Sequence, residues 1–476
     1  MKRLHPSASA IFAVMAAGCT VGPRADVTVP LPPARRGEVI APLSAPAQQL
    51  DPAATVDPYW WRLFGSVRLD ALVDQALARS NDIAAADATL RQAREQSATT
   101  ASTQRPQIDA NYQPERARTS QALQSPLADP TNFVYTLHTA QLTVAYPLDL
   151  FGGGRNRVRS TRAAAEVAGH RLVAARTTVI ANLVQAVIQQ AALQAEITAQ
   201  QSAIRNSRQL VTLLQRRRQI GDVGEADVSA QEASLASQEA ALPPLQRQLE
   251  HQRALILTLT GAPAGLPVPP LPTLAELTIP VRLPLSMPGM VVANRPDVRA
   301  AEAQVRGAAA DVGTAIAARL PQIQLTGAGG GESTRLADLF TPANLFYTLI
   351  GGVTQPLFHG GQLRHQQRAA QAALAIAEVQ YRAAALQAFL DVDDALSGLR
   401  TDAEALDAAT RANTAAQKTL LFTHRQVELG AVGTLQLLNA SVAASQASTQ
   451  LIQARVARLT DSVALFQASG TDHTVP

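Results

Sequence analysis

The chain contains one long internal repeat, and this repeat restricts the possible folds more than any other feature. Pro106-Gln107-Ile108 returns as Pro321-Gln322-Ile323, and Gly221-x-x-Gly224 returns as Gly430-x-x-Gly433. The period lies far above the roughly 20–50 residues of solenoid repeats. We therefore predict two related halves, each with a helix, a strand pair, a long helix, a glycine turn and a second long helix.

The helices of each half are predicted to be long and slender. Charged residues make up 16% of the chain and aromatic residues 4%, whereas an average domain has about 25% charged residues. Residues 154–221 contain no proline, which allows a helix of about 100 Å. Apolar residues recur every seven positions as in a coiled coil, for example Val228, Leu235, Leu242, Leu249 and Ile256, and Leu435, Val442, Val456 and Val463 with Thr449 between them.

Glycine and proline punctuate these helices. Gly221 and Gly430 are predicted to reverse the chain between the helices of two antiparallel hairpins, because glycine adopts the conformation that such turns need. Pro243-Pro244 lies inside the second helix of the first half. Since proline removes a helical hydrogen bond and clashes with the preceding turn, we expect this helix to break there, with a change of direction or a short insertion.

Two pairs of strands are predicted between the helices. In the first pair Leu142, Val144 and Tyr146 alternate with polar or small residues, which indicates a strand with one apolar face. The second pair contains many glycines and is predicted through the repeat. All four segments are close to the 9–11 residues that cross a membrane as tilted β-structure, and they comprise residues 107–116, 133–146, 322–330 and 345–355.

Four strands per chain cannot close a membrane barrel alone. In lipid every backbone donor and acceptor must be paired, so only a closed barrel is stable, and the smallest natural barrels have about eight strands. Either the sheet is soluble, or several chains share one barrel. Export of the chain and strands of membrane length favour the shared barrel.

The N-terminus has the pattern of a secretory signal. Lys2 and Arg3 precede a short apolar run that ends in small residues, as in cleaved signal peptides. Gly18 and Cys19 complete a segment similar to a bacterial lipobox, and this similarity implies that Cys19 becomes the lipidated N-terminus. The alternative is an ordinary signal peptide with an incidental cysteine. Cys19 is the only cysteine, which excludes a disulfide framework.

The sequence predicts six segments. An extended, proline-rich tether without periodicity follows the signal, and the ordered chain is expected to begin near Asp57, with Trp60 and Trp61 as a local packing anchor. The predicted segments are the signal peptide 1–18, the acylated tether 19–56, the first repeat 57–265, a Pro-rich linker 266–289, the second repeat 290–470 and a tail 471–476.

Several other functions are disfavoured. The formal net charge is +4 and only Lys2 and Lys418 are lysines, which argues against nucleic-acid binding. We find no nucleophile elbow and no phosphate-binding loop, and His359 and His365 do not share a helical face. The repetition of a strand pair and a long helical hairpin in both halves also disfavours a periplasmic adaptor or an exported enzyme. An acidic stripe on a helix is the preferred reading of Asp391, Asp393 and Asp394.

Taken together, these segments resemble the TolC-like outer membrane factors of bacterial efflux pumps, most closely the NodT-type lipoproteins. The resemblance implies a homotrimer with a shared 12-stranded barrel in the outer membrane and a helical tunnel in the periplasm. It also implies a periplasmic adaptor and an inner-membrane pump of RND type, which together select the cargo. The segments that carry it are 17–23, 59–61, 242–245, 294–302, 320–323 and 355–361.

The resemblance also assigns roles to residues near the two glycine turns. The acidic positions that line the periplasmic constriction in the family fall on Asp227, Gln436 and Asn439. Because two of these carry amides, we expect a constriction less negative than is usual in the family. The alternative is that Asp227 is only a solvated carboxylate at a helix end. The adaptor-docking tips fall on Arg216, Gly221, Gly224, Arg425, Gly430 and Gly433.

Overall fold

The structure, a computed structural model, describes most of the chain. The described residues are 21–23, 38–40, 47–52, 56–118, 134–263, 269–285, 291 and 294–470. The predicted signal peptide 1–18, Cys19 and the tail 471–476 lie outside the described residues.

The helices and strands follow the predicted order in both halves. The helices are α1 Val67–Arg79, α2 Asn81–Ser102, α3 Gly153–Gln219, α4 Glu225–Leu259, α5 Pro296–Ala317, α6 Gln362–Glu428 and α7 Thr434–Ser469. The strands are β1 Glu38–Ile40, β2 Gln48–Asp51, β3 Gln107–Arg118, β4 Val134–Leu148, β5 Arg282–Pro284, β6 Gln322–Ser333 and β7 Leu345–Thr354. Helices α2 and α5 both have 22 residues, and α3 and α6 both have 67.

The chain divides into two compact units that do not follow the two halves of the sequence. Unit 1 comprises residues 1–28, 89–168 and 301–381, and unit 2 comprises residues 29–88, 169–300 and 382–476. Each unit therefore contains segments of both halves. The halves are related by sequence, but neither half forms a unit alone.

Unit 1 contains a four-stranded antiparallel sheet in the order β3-β4-β6-β7. The central pair joins the two halves, because β4 pairs with β6 in a register that sets Val144 opposite Gly327. The observed strands start at or next to the first residue predicted for each.

A smaller sheet in unit 2 corrects the predicted tether and linker. Strand β2 lies between β1, which is antiparallel to it, and β5, which is parallel. The described residues 38–40 and 48–51 are thus strands, and the expectation that order begins near Asp57 was wrong. Strand β5 lies inside the predicted linker. These strands have three or four residues, too few for a periodic signal.

Aromatic packing fixes one end of unit 2. Trp60, Trp61 and Phe64 are fully buried, and Phe466 of α7 is buried with them. The Trp60 and Phe466 rings stack with their centroids 5.2 Å apart. The prediction that the tryptophan pair is a packing anchor is confirmed.

The predicted apolar rows are buried over most of the helices but not near the second glycine turn. Val228, Leu249 and Ile256 of α4 are buried. Leu435 of α7 is 63% exposed and Val442 is 39% exposed, so the predicted seam is wrong at this end within the single chain. The stripe buried there consists of Leu437, Ala440, Ala444 and Ala447.

Helix α4 is continuous through Pro243-Pro244, so the predicted break is wrong. The flanking residues Leu242 and Leu245 pack against a buried cluster of Leu193, Ile197 and Leu249. Gln200 of α3 also donates to the carbonyl of Gln238 at 2.7 Å, just before the prolines. Packing and this bond hold the helical path although two backbone donors are missing, because tertiary contacts can override local propensity.

One helix is apolar enough to pass a test for a membrane span. The sequence has no uninterrupted apolar run of that length, but an 18-residue window of α3 has a mean hydropathy of 1.3. More than half of this window is buried inside the structure. A packed core helix has the same property, so this window is weak evidence for a spanning helix.

Candidate functional site: a two-faced sheet and two hairpin tips

One face of the large sheet is apolar. Cross-strand partners share a face and alternate residues change face, so the registers assign every strand residue to one side. The apolar side carries side chains that are exposed in the single chain, namely Ile108, Tyr112, Leu142, Val144, Leu325, Tyr347 and Leu349. On β3 this band ends beyond Tyr112, because Arg116 and Arg118 follow on the same side.

The opposite face is largely polar. Asp109 lies opposite Thr143, and Asn111 lies opposite Gln141. The remaining polar members include Gln107, Gln113, Gln324, Thr326 and Thr354, while Leu137, Phe346 and Ile350 are apolar exceptions. A sheet with one apolar and one polar face, both accessible to solvent in the single chain, is suited to separate lipid from water.

The two outer strands of this sheet are open. Among the described residues, β3 pairs only with β4 and β7 only with β6. The outward donors and acceptors of β3 and β7 therefore need partners from elsewhere if the sheet enters a membrane.

The two hairpin tips have the same backbone geometry. In the first, Gly221 has a φ of +79° and donates to Arg218, and Asp222 donates to Arg217. In the second, Gly430 and Ala431 make the equivalent bonds to Val427 and Gln426. Both are Schellman motifs, in which a left-handed glycine satisfies the last helical carbonyls.

Arg217 links the two tips and was not singled out by the sequence analysis. Its guanidinium donates to the carbonyl of Val427 at 3.1 Å and lies 3.3 Å from the Asp222 carboxylate. Val427 is in the last turn of α6, where a cation is favoured by the helix dipole. The sequence Arg216-Arg217-Arg218 does not indicate which of the three arginines contacts the second tip.

The predicted docking residues lie at the surface of the tips. Arg216 and Arg425 are exposed, as are Gly221, Gly224, Gly430 and Gly433. Arg218 forms an ion pair with Glu225 across the first turn. In the second tip His424 lies 3.2 Å from Glu428.

The predicted aperture residues take equivalent positions in the two halves. Asp227 accepts a hydrogen bond from the backbone of Gly224 at 3.2 Å and so caps the start of α4. Gln436 is the third residue of α7, as Asp227 is of α4, and it too is exposed. Asn439 is exposed about one turn later.

The acidic stripe of α6 is partly neutralised. Arg295 lies 2.9 Å from Asp391 and 2.7 Å from Asp297. Burial alone would raise the pKa of Asp297, but hydrogen bonding and the charge of Arg295 hold it below its usual value. Among the described residues, no three His, Cys, Asp or Glu side chains lie close enough to hold a metal.

Known proteins are similar to this chain in sequence and fold over nearly its whole length. The family model "Outer membrane efflux protein" matches residues 72–262 and 287–471. The pyoverdine export outer membrane protein OpmQ of Pseudomonas putida is 29% identical, over 90% of each chain. The probable outer membrane lipoprotein SilC of Salmonella typhimurium is 24% identical, over 87% of this chain and 88% of its own.

A solved structure agrees with the fold. The outer-membrane channel OprN superposes with a TM-score of 0.85 and 28% identity, over 95% of this chain and 99% of its own. The TolC-like resemblance is thus confirmed. The chain belongs to the outer membrane efflux protein family, and it is an outer-membrane exit duct for efflux rather than an enzyme.

Proposed function

We propose that three copies of the chain close one 12-stranded barrel in the outer membrane. The open edges of β3 and β7 carry this proposal, because each copy offers one free edge at either side of its sheet. Pairing β3 of one copy with β7 of the next satisfies these backbone groups. The apolar face then contacts lipid, and the polar face lines an aqueous lumen.

The long helices support the same assembly. Helix α6 carries an apolar stripe that is exposed in the single chain, formed by Ile376, Val379, Leu386 and Leu390. A stripe of this kind is normally covered by another element. In our proposal it packs on the neighbouring copy, and α3, α4, α6 and α7 of three copies form a periplasmic tunnel of twelve helices.

The N-terminal part of the proposal is lipidation at Cys19. Removal of residues 1–18 would expose the Cys19 amine for N-acylation, with a diacylglycerol on its sulfur. SilC is named an outer membrane lipoprotein, which supports a lipid anchor in this branch of the family. We further propose 57–265 and 290–470 as the two repeats of the mature chain.

The tips are the proposed contact with the rest of a tripartite pump. A periplasmic adaptor would dock on the surfaces around Arg216 and Arg425, and an inner-membrane pump of the RND type would supply the energy. OpmQ is named for pyoverdine export, and a small exported molecule is the class of cargo we propose here.

The mass of the native particle tests the assembly. Extraction in mild detergent, corrected for bound detergent, should give close to three chains of 50.2 kDa each. A stable monomer would leave the edges of β3 and β7 open and would contradict the shared barrel.

The docking surface can be tested by charge reversal. Arg216→Glu and Arg425→Glu should lower adaptor binding to the purified trimer by about tenfold or more, because each variant reverses one exposed charge per copy. Arg91→Glu is the control, because Arg91 is an exposed residue of α2 that lies far from both tips in the sequence. Equal loss of binding in all three would contradict a specific role for the tips.

Asp227 is proposed to make the periplasmic aperture prefer cations, with Gln436 and Asn439 as neutral members of the same constriction. Asp227→Asn keeps an acceptor for the backbone of Gly224 but removes the charge. The cation preference in bilayer recordings should fall in this variant and remain in Gln436→Asn. Unchanged selectivity in Asp227→Asn would leave only its capping role.

A further inference from the structure

Residues 21–23, which follow the proposed lipid site closely in the sequence, make contacts that a loose tether would not make. The Asn156 amide of α3 donates to the carbonyl of Val21 at 2.9 Å. The backbone of Val21 donates in turn to the carbonyl of Phe151, at 3.5 Å. Asn156 is only 3% exposed, so its amide is committed to this contact and is not available to water.

Two glycines allow the close approach. A Cβ placed on Gly22 would lie 3.2 Å from the Cα of Gly313 in α5. A Cβ on Gly313 would lie 2.6 Å from the carbonyl oxygen of Val21 and would overlap the Asn156 amide. Any side chain at position 313 must therefore displace Val21 or Asn156.

The turn between β4 and α3, which supplies the Phe151 carbonyl to Val21, is itself held by hydrogen bonds. The Asp149 carboxylate accepts from the backbone of Arg155 at 2.8 Å, and Gly152 has a φ of +78°. Arg159 donates to the Asn156 side-chain oxygen at 3.2 Å, which orients the amide so that its nitrogen faces Val21. The position of Val21 is thus fixed relative to the end of β4.

Only two residues of chain separate Val21 from the proposed lipid site, which limits where the lipid can start. Two residues span at most about 7 Å between Cα atoms, so a lipid attached two residues before Val21 would start within that reach of the segment that follows Leu148. Leu148 pairs with Ile323, which pairs with Val353, and all three belong to the apolar face of the sheet. The anchor would therefore start where this apolar face ends.

We propose that Asn156, Gly313 and the Phe151 carbonyl form a socket that seats residues 21–23 and sets the lipid anchor at the periplasmic margin of the sheet. This inference rests on the proposed lipidation of Cys19 and on the membrane role of the sheet. Asn156 acts as a positioning residue, because it holds Val21 and does not touch the lipid.

The test uses the full-length protein with one nitroxide label at Pro23→Cys, in liposomes. Acylation consumes the thiol of Cys19, so only position 23 should react with the label. We expect an immobilised spectrum in this background. Asn156→Asp keeps the acceptor for Arg159 but removes the donor to Val21, and it should raise the mobile fraction several-fold, as should Gly313→Ala.

Gly307→Ala is the matched control. It lies in the same helix, and its Cβ would contact Ala163 at 3.3 Å without reaching residues 21–23. It should leave the spectrum unchanged. The melting midpoint of every variant is measured as well, and it should lie above the temperature at which the spectra are recorded, so that a raised mobile fraction reports residues 21–23 and not unfolding.

Two results would overturn the proposal at different levels. An immobile label in both Asn156→Asp and Gly313→Ala, with one label per chain, would overturn the socket alone. A second label per chain would show an unacylated Cys19 and overturn the lipidation on which the socket rests. Mass spectrometry of the tryptic peptide Cys19–Arg24 from the unlabelled protein reads the acyl groups directly.

Discussion

The hairpins α3/α4 and α6/α7 share a backbone plan but differ in what holds their helices together. In the first, polar side chains bridge the two helices: Gln200 reaches the carbonyl of Gln238, and buried Gln231 donates to Ser207 at 3.2 Å. The positions that correspond in the second hairpin are occupied by alanines, namely Ala409, Ala447, Ala440 and Ala416.

Further from the tips the difference is reversed, with apolar residues in the first hairpin and charged residues in the second. Leu193 and Leu249 form an apolar cluster in the first hairpin, and Asp402 and Arg458 stand at the corresponding positions of the second. Burial, and then the charge of Asp461, raise the pKa of Asp402 to about 6, while Arg458 opposes the shift. Burial also raises the pKa of Asp461.

This difference shows which properties the repeat retains. Helix lengths and the Schellman tips are the same in both halves, because they set the path of the backbone. The polar contacts lie at different positions along the helices, and the described residues of the second hairpin include a pair of carboxyls with raised pKa values, Asp402 and Asp461. We therefore expect the stability of the second hairpin to depend on pH more strongly than that of the first, in which burial raises the pKa of one carboxyl, that of Glu196.

The largest effect on stability is expected when a methyl group is added beside the carboxyl pair Asp402 and Asp461. A Cβ on Gly398 would overlap the Asp461 carboxyl group. Gly398→Ala should lower the free energy of unfolding by about 2 kcal/mol, since overpacking costs more than the gain in helix propensity. The midpoint of helical melting measures it. Gly398→Ala with Asp461→Ala should recover most of the loss, and equal loss in both would contradict the overlap.

The first hairpin should be sensitive to its buried amide. Gln231→Ala leaves Ser207 without this partner and opens a small void, which should cost about 1–2 kcal/mol. The double variant Gln231→Ala with Ser207→Ala reproduces the alanine pair of the second hairpin and should recover part of the loss. If the double variant melts below the single one, the two side chains do not act together.

Asp402→Asn should separate the pH responses of the hairpins. The raised pKa means that the native state favours the protonated carboxyl, so its contribution to stability is present below about pH 4 and is lost as the pH rises through about 6. The variant should therefore be more stable at pH 8 by about 1 kcal/mol, a value reduced because the carboxyl is partly exposed. If the melting midpoints of the variant and of the unsubstituted protein change by the same amount between pH 4 and 8, this expectation is wrong.

The smallest effect is expected from the exposed ion pair of the first hairpin. Arg208 lies 2.6 Å from Glu239, with both side chains largely exposed. Arg208→Ala should change the free energy of unfolding by about 0.5 kcal/mol or less, and high salt should remove the difference. A change above about 1 kcal/mol would indicate that the arginine stem also packs on α4.

Periodicity and the internal repeat were enough to predict the long helices, the strand positions and the turns at Gly221 and Gly430. These features depend on local pattern, which one sequence contains. The prediction failed at Pro243-Pro244, where packing by Leu242 and Leu245 outweighs the local effect of proline.

Contacts between distant segments could not be predicted. Strand β2 pairs with β5 although neither is long enough to show alternation. At the candidate site, the inward turn of Arg217 depends on the carbonyl of Val427 from the other hairpin. Likewise, nothing near Asn156 in the sequence indicates that its partner is Val21.

The pairing of β4 with β6 has a consequence for the order of folding. Val144 of β4 pairs with Ile108 of β3 in the same half and with Gly327 of β6 in the second half. During export, one edge of β4 therefore stays open until β6, which lies early in the second half, has followed. Non-local pairing of this kind is slow and exposes strand edges to other chains. Delivery of the whole chain in an unfolded, protected form would therefore limit the rate at which the duct appears in the outer membrane.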